Sequence, residues 1–273
     1  MSGHRSASAS GGASVTGVAD HDERALSFGE IADDYDRLRP GPPEAAVDWL
    51  LPAHCQAAID VGAGTGLLTR ALTGKVAQVI AVEPDERMAA VLRARSPGVR
   101  VLLGSGEAIP VPDGSADGVF VSSAWHWMDP PRAVPEIARA LRDGGRFGVI
   151  WTSLDREADW LLELRRPARP LAAEADAGQA AQERAGHHEV RLPEAAPFGH
   201  IATASFAFTR TMATSDLVDL LATYSMIITA SPADRAAELA RVRAALREQF
   251  PGADEVEVPM RARCWRADRV PRR

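Results

Sequence analysis

Two acids and three glycines carry the plainest chemistry in this chain. Asp60 lies in a short apolar run, Ala57-Ala58-Ile59-Asp60-Val61, and Gly62-Ala63-Gly64-Thr65-Gly66 follows at once. Glycine reaches positive φ and has no Cβ, so such a turn lets a ligand lie against backbone N–H groups where a helix begins and its dipole end is positive. A second apolar run, Ile80-Ala81-Val82, ends in Glu83-Pro84, and Glu83 falls 21 residues after Gly62. That is the spacing at which a carboxylate reaches a ribose diol. The two segments together describe a nucleotide-type cofactor site. The dinucleotide fingerprint G-x-G-x-x-G would put its third glycine at position 67, where Leu67 stands, and the glycine comes one residue earlier at Gly66. A pyrophosphate cradle is therefore disfavoured.

His126, within Trp125-His126-Trp127, is the candidate general base. An imidazole with an ordinary pKa near 6.5 can take a proton from a hydroxyl or amine at neutral pH. The competing reading makes it a packing residue, with Trp125 and Trp127 as pocket wall or core. A carboxylate acceptor would need no base, and an arginine would hold the anion through paired hydrogen bonds. With 31 Lys and Arg in total and Lys75 the single lysine, the sequence does not select one. His187-His188-Glu189 lacks a matching third-ligand spacing, so no metal site is expected. Cys55 and Cys264 are far apart without a CxxC partner, which suggests neither a disulfide framework nor a thiolate metal site and fits a reducing cytoplasm.

These residues need a scaffold, and from Ala57 to Trp151 the chain alternates strands and helices as a parallel sheet with helices on both faces requires. Strands are expected at 57–61, 76–82, 99–103, 117–122 and 146–151, with helices near 67–72, 84–95 and 131–142. Asp143-Gly144-Gly145 is read as helix C-cap and turn into the fifth strand. Ligands bind beyond the carboxyl ends of such strands, where Asp60, Glu83, Ser105 and Ser122 fall. Upstream, 1–22 reads as a disordered tail, a helix is expected from about 22 to 38 and another from about 44 to 51, both capping one sheet edge. Residues 23–273 form one domain, in which 152–198 is an irregular, partly helical insertion on the site face. A strand at 201–209, helices at 215–228 and 233–250 and a last strand at 256–267 complete the reading.

Composition sets outer limits. At 273 residues with 46% hydrophobic and 25% charged residues, the chain can fold around an ordinary core without staples. A net charge of −6 argues against nucleic acid as substrate. No apolar run nears the roughly 20 residues of a membrane helix, and the start lacks a secretory h-region. The expectation is a cytoplasmic protein, monomer or homodimer, without membrane or nucleic-acid partners.

The form hydrophobic-hydrophobic-Asp-Val-Gly-x-Gly-x-Gly resembles motif I of the class I S-adenosylmethionine-dependent methyltransferases. Tyr35-Asp36-Arg37…Arg39-Pro40, Gly104-Ser105-Gly106-Glu107-Ala108-Ile109-Pro110, Ser123-Ala124-Trp125-His126-Trp127-Met128-Asp129 and Leu141-Arg142-Asp143-Gly144-Gly145 resemble further motifs of one subgroup. It is the type 11 group, which includes trans-aconitate methyltransferase-like enzymes and many small-molecule O-, N- and C-methyltransferases. The resemblance runs from about residue 24 to the end. It implies a Rossmann-like α/β fold, with a mostly parallel seven-stranded sheet and an antiparallel C-terminal strand. It implies S-adenosylmethionine as cofactor, held by Asp60 at the methionine end, by Gly62, Ala63, Gly64 and Gly66 along the turn, and by Glu83 and Pro84 at the ribose. Ser105, Gly106 and Glu107 would edge the adenine, Ser122 would floor the methionine moiety, and Tyr35 and Arg39 would close over the cofactor. The implied activity is methyl transfer to a small organic molecule in biosynthetic or secondary metabolism. A cyclase or other rearrangement on the same cofactor, a non-catalytic member and a dehydrogenase are the alternatives. Acceptor specificity is expected around His126, Thr223 to Ser225 and the insertion.

Overall fold

A computed structural model describes residues 32–155, 157–165, 190–223, 227 and 230–271. In chain order these form α1 (Ala32–Leu38), α2 (Glu44–Leu50), β1 (Ala57–Val61), α3 (Leu67–Thr73), β2 (Gln78–Glu83), α4 (Glu86–Arg95), β3 (Arg100–Leu103) and β4 (Ala116–Ser122). A 3₁₀ turn at Trp125–Trp127 leads into α5 (Pro130–Ala140) and β5 (Leu141–Leu154). Then come α6 (Asp159–Arg165), β6 (Ala202–Ala213), α7 (Thr214–Ala222), α8 (Pro232–Gln249) and β7 (Glu255–Asp268).

The seven strands lie in the order β3-β2-β1-β4-β5-β7-β6. β1 to β5 pair in parallel, and β7 runs antiparallel between β5 and β6. The chain winds outward from β1 in one direction and from β4 in the other, so the topological switch point lies between those two strands. In sheets of this topology the ligand crevice lies there, outside the carboxyl ends of the strands. β1 and β4 are buried almost along their whole length, as strands covered by helices on both faces must be. β6, at the edge, alternates between half-buried and exposed residues and has one face open.

One face of the sheet sets Ile59, Val61, Val119, Val121, Phe147, Val149, Trp151 and Trp265 against Ala133, Val134 and Ile137 of α5. The other sets Ala58, Phe120, Ile150 and Cys264 against Val47 and Leu50 of α2 and Leu68 and Leu72 of α3. α7 and α8 build a further cluster on Val256, Val258 and Met260 of β7.

Three placements differ from the sequence reading. Asp143-Gly144-Gly145 does not cap α5; Leu141 caps it in extended conformation and enters β5 directly by pairing with Ala116. The two glycines instead form an irregularity inside β5, where Gly144 has φ +76° and donates to the Arg269 carbonyl at 3.1 Å. α2 does not cap an edge but lies across a sheet face. Its Trp49 meets Phe206 of β6 edge-on at 6.4 Å, and the Arg266 guanidinium stacks 4.1 Å from the Trp49 ring. β5 continues to Leu154, so the insertion starts later than expected. Its return leg pairs Phe198 with Arg269 and packs Phe198 on Phe147 at 5.7 Å, toward the amino ends of the parallel strands. The expected tail at 1–22, the helix before Ala32, residues 166–189 with His187-His188-Glu189, and Tyr224 and Ser225 lie outside the described residues.

Candidate functional site

Asp60, near the carboxyl end of β1, is fully buried. Thr69 Oγ1, one turn into α3, donates to its Oδ2 at 2.6 Å, while Oδ1 has no hydrogen-bond partner among the described residues. Burial pushes the Asp60 carboxyl up to about 7, with the Thr69 hydrogen bond pulling down and the Glu83 charge adding to the rise. Close by in the chain, the buried Thr65 hydroxyl also lacks a partner among the described residues. A buried carboxylate oxygen without a donor is costly, so this end of the crevice suits a ligand that brings a cationic or hydroxylic donor.

Glu83 ends β2 one strand over. Its Oε2 accepts from the Gly64 N–H at 2.7 Å and its Oε1 from the Asp85 N–H at 2.9 Å. Burial raises its pKa, and those two backbone bonds oppose the rise. Each carboxylate oxygen can accept two hydrogen bonds, so both retain capacity for the paired hydroxyls of a diol. Asp85 is itself the cap of α4, accepting from the Arg87 N–H at 2.8 Å, which fixes the corner on which Glu83 sits. Pro84, between the two acids, is exposed.

The glycine turn works differently from the sequence expectation. Gly62 and Ala63 both donate to the Val82 carbonyl, at 2.8 and 3.1 Å, and Gly66 donates to the Ala63 carbonyl at 2.9 Å. With Gly64 bound to Glu83, the N–H groups at 62, 63, 64 and 66 are all engaged within the protein. The reason is that the β1–β2 ladder, in register up to Val61 and Val82, simply runs on into the turn. What the glycines provide is conformation and close approach. A Cβ on Gly62 (φ +66°) would stand 2.7 Å from the Ala124 Cβ, and one on Gly66 (φ +90°) 2.8 Å from Leu92 Cγ. Gly64 (φ +57°) faces open space, so it is the glycine whose missing Cβ leaves room for a ligand.

The opposite wall comes from the segments after β3 and β4. Ser105 Oγ accepts from the Glu107 N–H at 3.3 Å, and Glu107 Oε1 accepts from the Asp129 N–H at 2.7 Å. Gly106 is buried, and a Cβ there would lie 2.5 Å from Met128 Sδ. The same Met128 reaches within 3.4 Å of where a Gly62 Cβ would stand. Met128 thus bridges the first glycine turn and the 105–107 segment, a role the sequence reading did not assign. The available signal was its place in the turn Trp125-His126-Trp127-Met128 that crosses from β4 to α5. Ser122 ends β4 opposite Ile150, and Ser123 N–H donates to the Ile150 carbonyl at 2.8 Å. Ser123 has φ +54°, the sole positive φ on a non-glycine residue among those described. Such strain clusters at functional turns. Trp125 is core, packed on Phe147 at 5.3 Å, and this anchors the half-buried His126, whose ring lies 4.8 Å from Trp127.

α1 straps the crevice from the side. Asp36 pairs with Arg70 of α3 at 2.5 Å, and Arg70 in turn donates to the Thr65 carbonyl at 2.8 Å. Arg37 pairs with Asp216 of α7 at 2.7 Å. Arg39 stacks on Tyr35 at 5.1 Å and donates to both the hydroxyl and the carbonyl of Thr223 at 3.0 Å. α1 therefore joins the first βα unit, through Asp36, to the C-terminal helices, through Arg37 and Arg39, and Thr223 is the partner that holds Arg39. No cluster of His, Cys, Asp and Glu able to hold a metal occurs among the described residues.

Residues 59–149, which contain both acids and His126, match a family model described as a methyltransferase domain. Uncharacterized methyltransferases of Mycobacterium bovis and Mycobacterium tuberculosis are 41% identical over 221 residues, 81% of this chain and 86% of each relative. A methyltransferase-like protein of Schizosaccharomyces pombe is 28% identical over 202 residues, 71% of this chain and 75% of its own. Among solved structures, one described as a type II methyltransferase from Anaeromyxobacter dehalogenans shares the fold with a TM-score of 0.62 at 24% identity, covering 86% of this chain and 99% of that one.

Proposed function

Since the chain belongs to the class I S-adenosylmethionine-dependent methyltransferases, we propose that it methylates a small organic molecule of biosynthetic or secondary metabolism in the cytoplasm. The observation that carries the site assignment is the pairing of Asp60 Oδ1, buried and lacking a donor, with Glu83, aimed at the same crevice from the next strand. A ligand with an ammonium group at one end and a ribose diol further along fits that donor and acceptor set.

S-adenosylmethionine supplies an activated methyl group on a sulfonium, so the reaction needs alignment and exclusion of water more than covalent help. Asp60 accepts from the ammonium of the methionine end. Glu83 accepts from both ribose hydroxyls, and Gly64 lets the ligand approach where a side chain would stand. The 105–107 segment and Met128 border the adenine side, and Ser122 with the strained Ser123 turn forms the floor beneath the methionine moiety. α1 with Tyr35 and Arg39 closes the flank. His126 takes the proton from an acceptor hydroxyl as the methyl arrives, held in place because Trp125 is locked into the core.

The test is incubation of the purified protein with isotopically labelled methyl donor and fractionated cell extract, followed by mass spectrometry. The reading expects a labelled small molecule heavier by one CH₂ equivalent, with S-adenosylhomocysteine released. Tight cofactor binding with no labelled product, or a product without the mass gain, contradicts it.

A further inference from the structure

On the sheet face against which the Trp125–Trp127 turn packs, Arg263 carries a guanidinium nitrogen that no described residue accepts from, although its charge acts on Asp155. Arg263 sits on β7, paired with Trp151 of β5 on one side and Ser205 of β6 on the other. Side chains alternate along a strand, so Arg263 shares a face with Arg261 and Trp265 while Cys264 points to the other. Trp265 and Trp151 belong to the cluster that holds Trp125, so this is the face on which the Trp125–Trp127 turn packs. The level along the strands is equally defined. β4 ends at Ser122 opposite Ile150, and Trp151 with Arg263 forms the next rung, just past the carboxyl end of β4.

The two neighbouring arginines are in opposite situations. Arg261 is saturated: Nε and Nη2 hold both oxygens of Asp155 at 2.9 and 2.8 Å, Nη2 also reaches Glu157 at 2.6 Å, and Nη1 reaches Ser205 at 3.4 Å. Those contacts claim the acceptors around Arg263 as well. Arg263 Nη1 is buried yet has no hydrogen-bond partner among the described residues. A guanidinium N–H removed from water and left without an acceptor is a site that wants an oxyanion.

We infer that Arg263 is the anchor for a carboxylate on the methyl acceptor, so that the substrate class is a small organic acid. A single guanidinium nitrogen without an acceptor, beside an Asp155 already paired with Arg261, suits a monoanion better than a dianionic phosphate. β7 lies two strands from β4, about 10 Å. The acid therefore binds at one end of the acceptor, and the atom that receives the methyl group lies at the other, toward His126. This inference rests on the methyl-transfer reading for its location, but its test does not depend on turnover.

The experiment titrates the full chain, saturated with S-adenosylhomocysteine, with benzoate, 4-hydroxybenzoate, octanoate, benzamide and inorganic phosphate by calorimetry. At least one carboxylate is expected to bind wild type and to lose about tenfold or more in affinity in Arg263→Gln. Arg263→Lys, which keeps the charge, should retain part of that affinity, and benzamide and phosphate should not compete. Both variants should bind S-adenosylhomocysteine as wild type does, which also shows that they are folded. Failure of every carboxylate to bind, equal carboxylate affinity in Arg263→Gln, or binding of phosphate alone would overturn the assignment. Failure of S-adenosylhomocysteine to bind wild type would instead count against the cofactor reading, and the carboxylate titration repeated without it still reads Arg263.

Discussion

Replacing Asp60 by Asn should remove from folding the pH dependence that its buried carboxyl produces. Burial pushes Asp60 up to about 7 from an ordinary value of 3.8. The folded protein therefore holds this proton more tightly than the unfolded chain by about 4 kcal/mol at the limit. The sign follows from which state binds more protons. Between about pH 4 and pH 7 the folded state does, so stability is full below the unfolded value and declines as pH rises through the folded one. Over the accessible span from pH 5 to pH 8 the loss from this group amounts to roughly 2–3 kcal/mol. Asparagine cannot titrate, its carboxamide oxygen can still accept from Thr69, and its NH₂ falls where Oδ1 has no partner. Urea unfolding of both proteins at pH 5 and pH 8 checks this, because the acids that do not act on Asp60 cancel in the comparison, and the coupled Glu83 is read together with it. Wild type should lose about 2–3 kcal/mol more than Asp60→Asn between the two pH values. Parallel pH profiles would mean that Asp60 is ionised in the folded protein throughout, and the reasoning would fail.

The glycines and the histidine yield further expectations. Gly62→Ala combines a positive φ with a Cβ 2.7 Å from Ala124 and should cost about 2–4 kcal/mol in urea unfolding. Gly64→Ala meets open space, so it should cost only about 1–2 kcal/mol of stability, through its φ, while weakening cofactor binding more than its stability loss implies. His126→Asn should leave cofactor affinity intact and lower turnover of a hydroxyl acceptor by about 10²-fold or more, and full activity would return His126 to a packing role.

The sheet was legible because β1, β2 and β4 are short, mostly apolar runs with Asp60, Glu83 and Ser122 at or next to their carboxyl ends, and each was placed to within two residues. The glycine spacing pointed to the right family for a reason that proved partly different. Local sequence says that a Gly-rich turn can expose its N–H groups, but whether it does depends on the neighbouring strand, and Val82 takes two of them. Thr69 as partner of Asp60, Met128 between Gly62 and Gly106, and Thr223 as holder of Arg39 all depend on contacts distant in the chain or across a turn, which periodicity does not report. The misplaced turn at Asp143–Gly145 has a similar cause. Gly-Gly after a helix usually marks a C-cap, but pairing of Leu141 with Ala116 pulls the chain into the sheet before the glycines arrive.

The central claim is that S-adenosylmethionine occupies the crevice between Asp60 and Glu83. Calorimetric titration of wild type and Glu83→Ala with S-adenosylmethionine tests it most directly. The account predicts one site per chain in wild type and an affinity lower by about one to two decades in the variant, from the loss of charge-assisted ribose bonds worth roughly 1.5–3 kcal/mol. Equal affinity in the two proteins, or no binding to wild type, would contradict it.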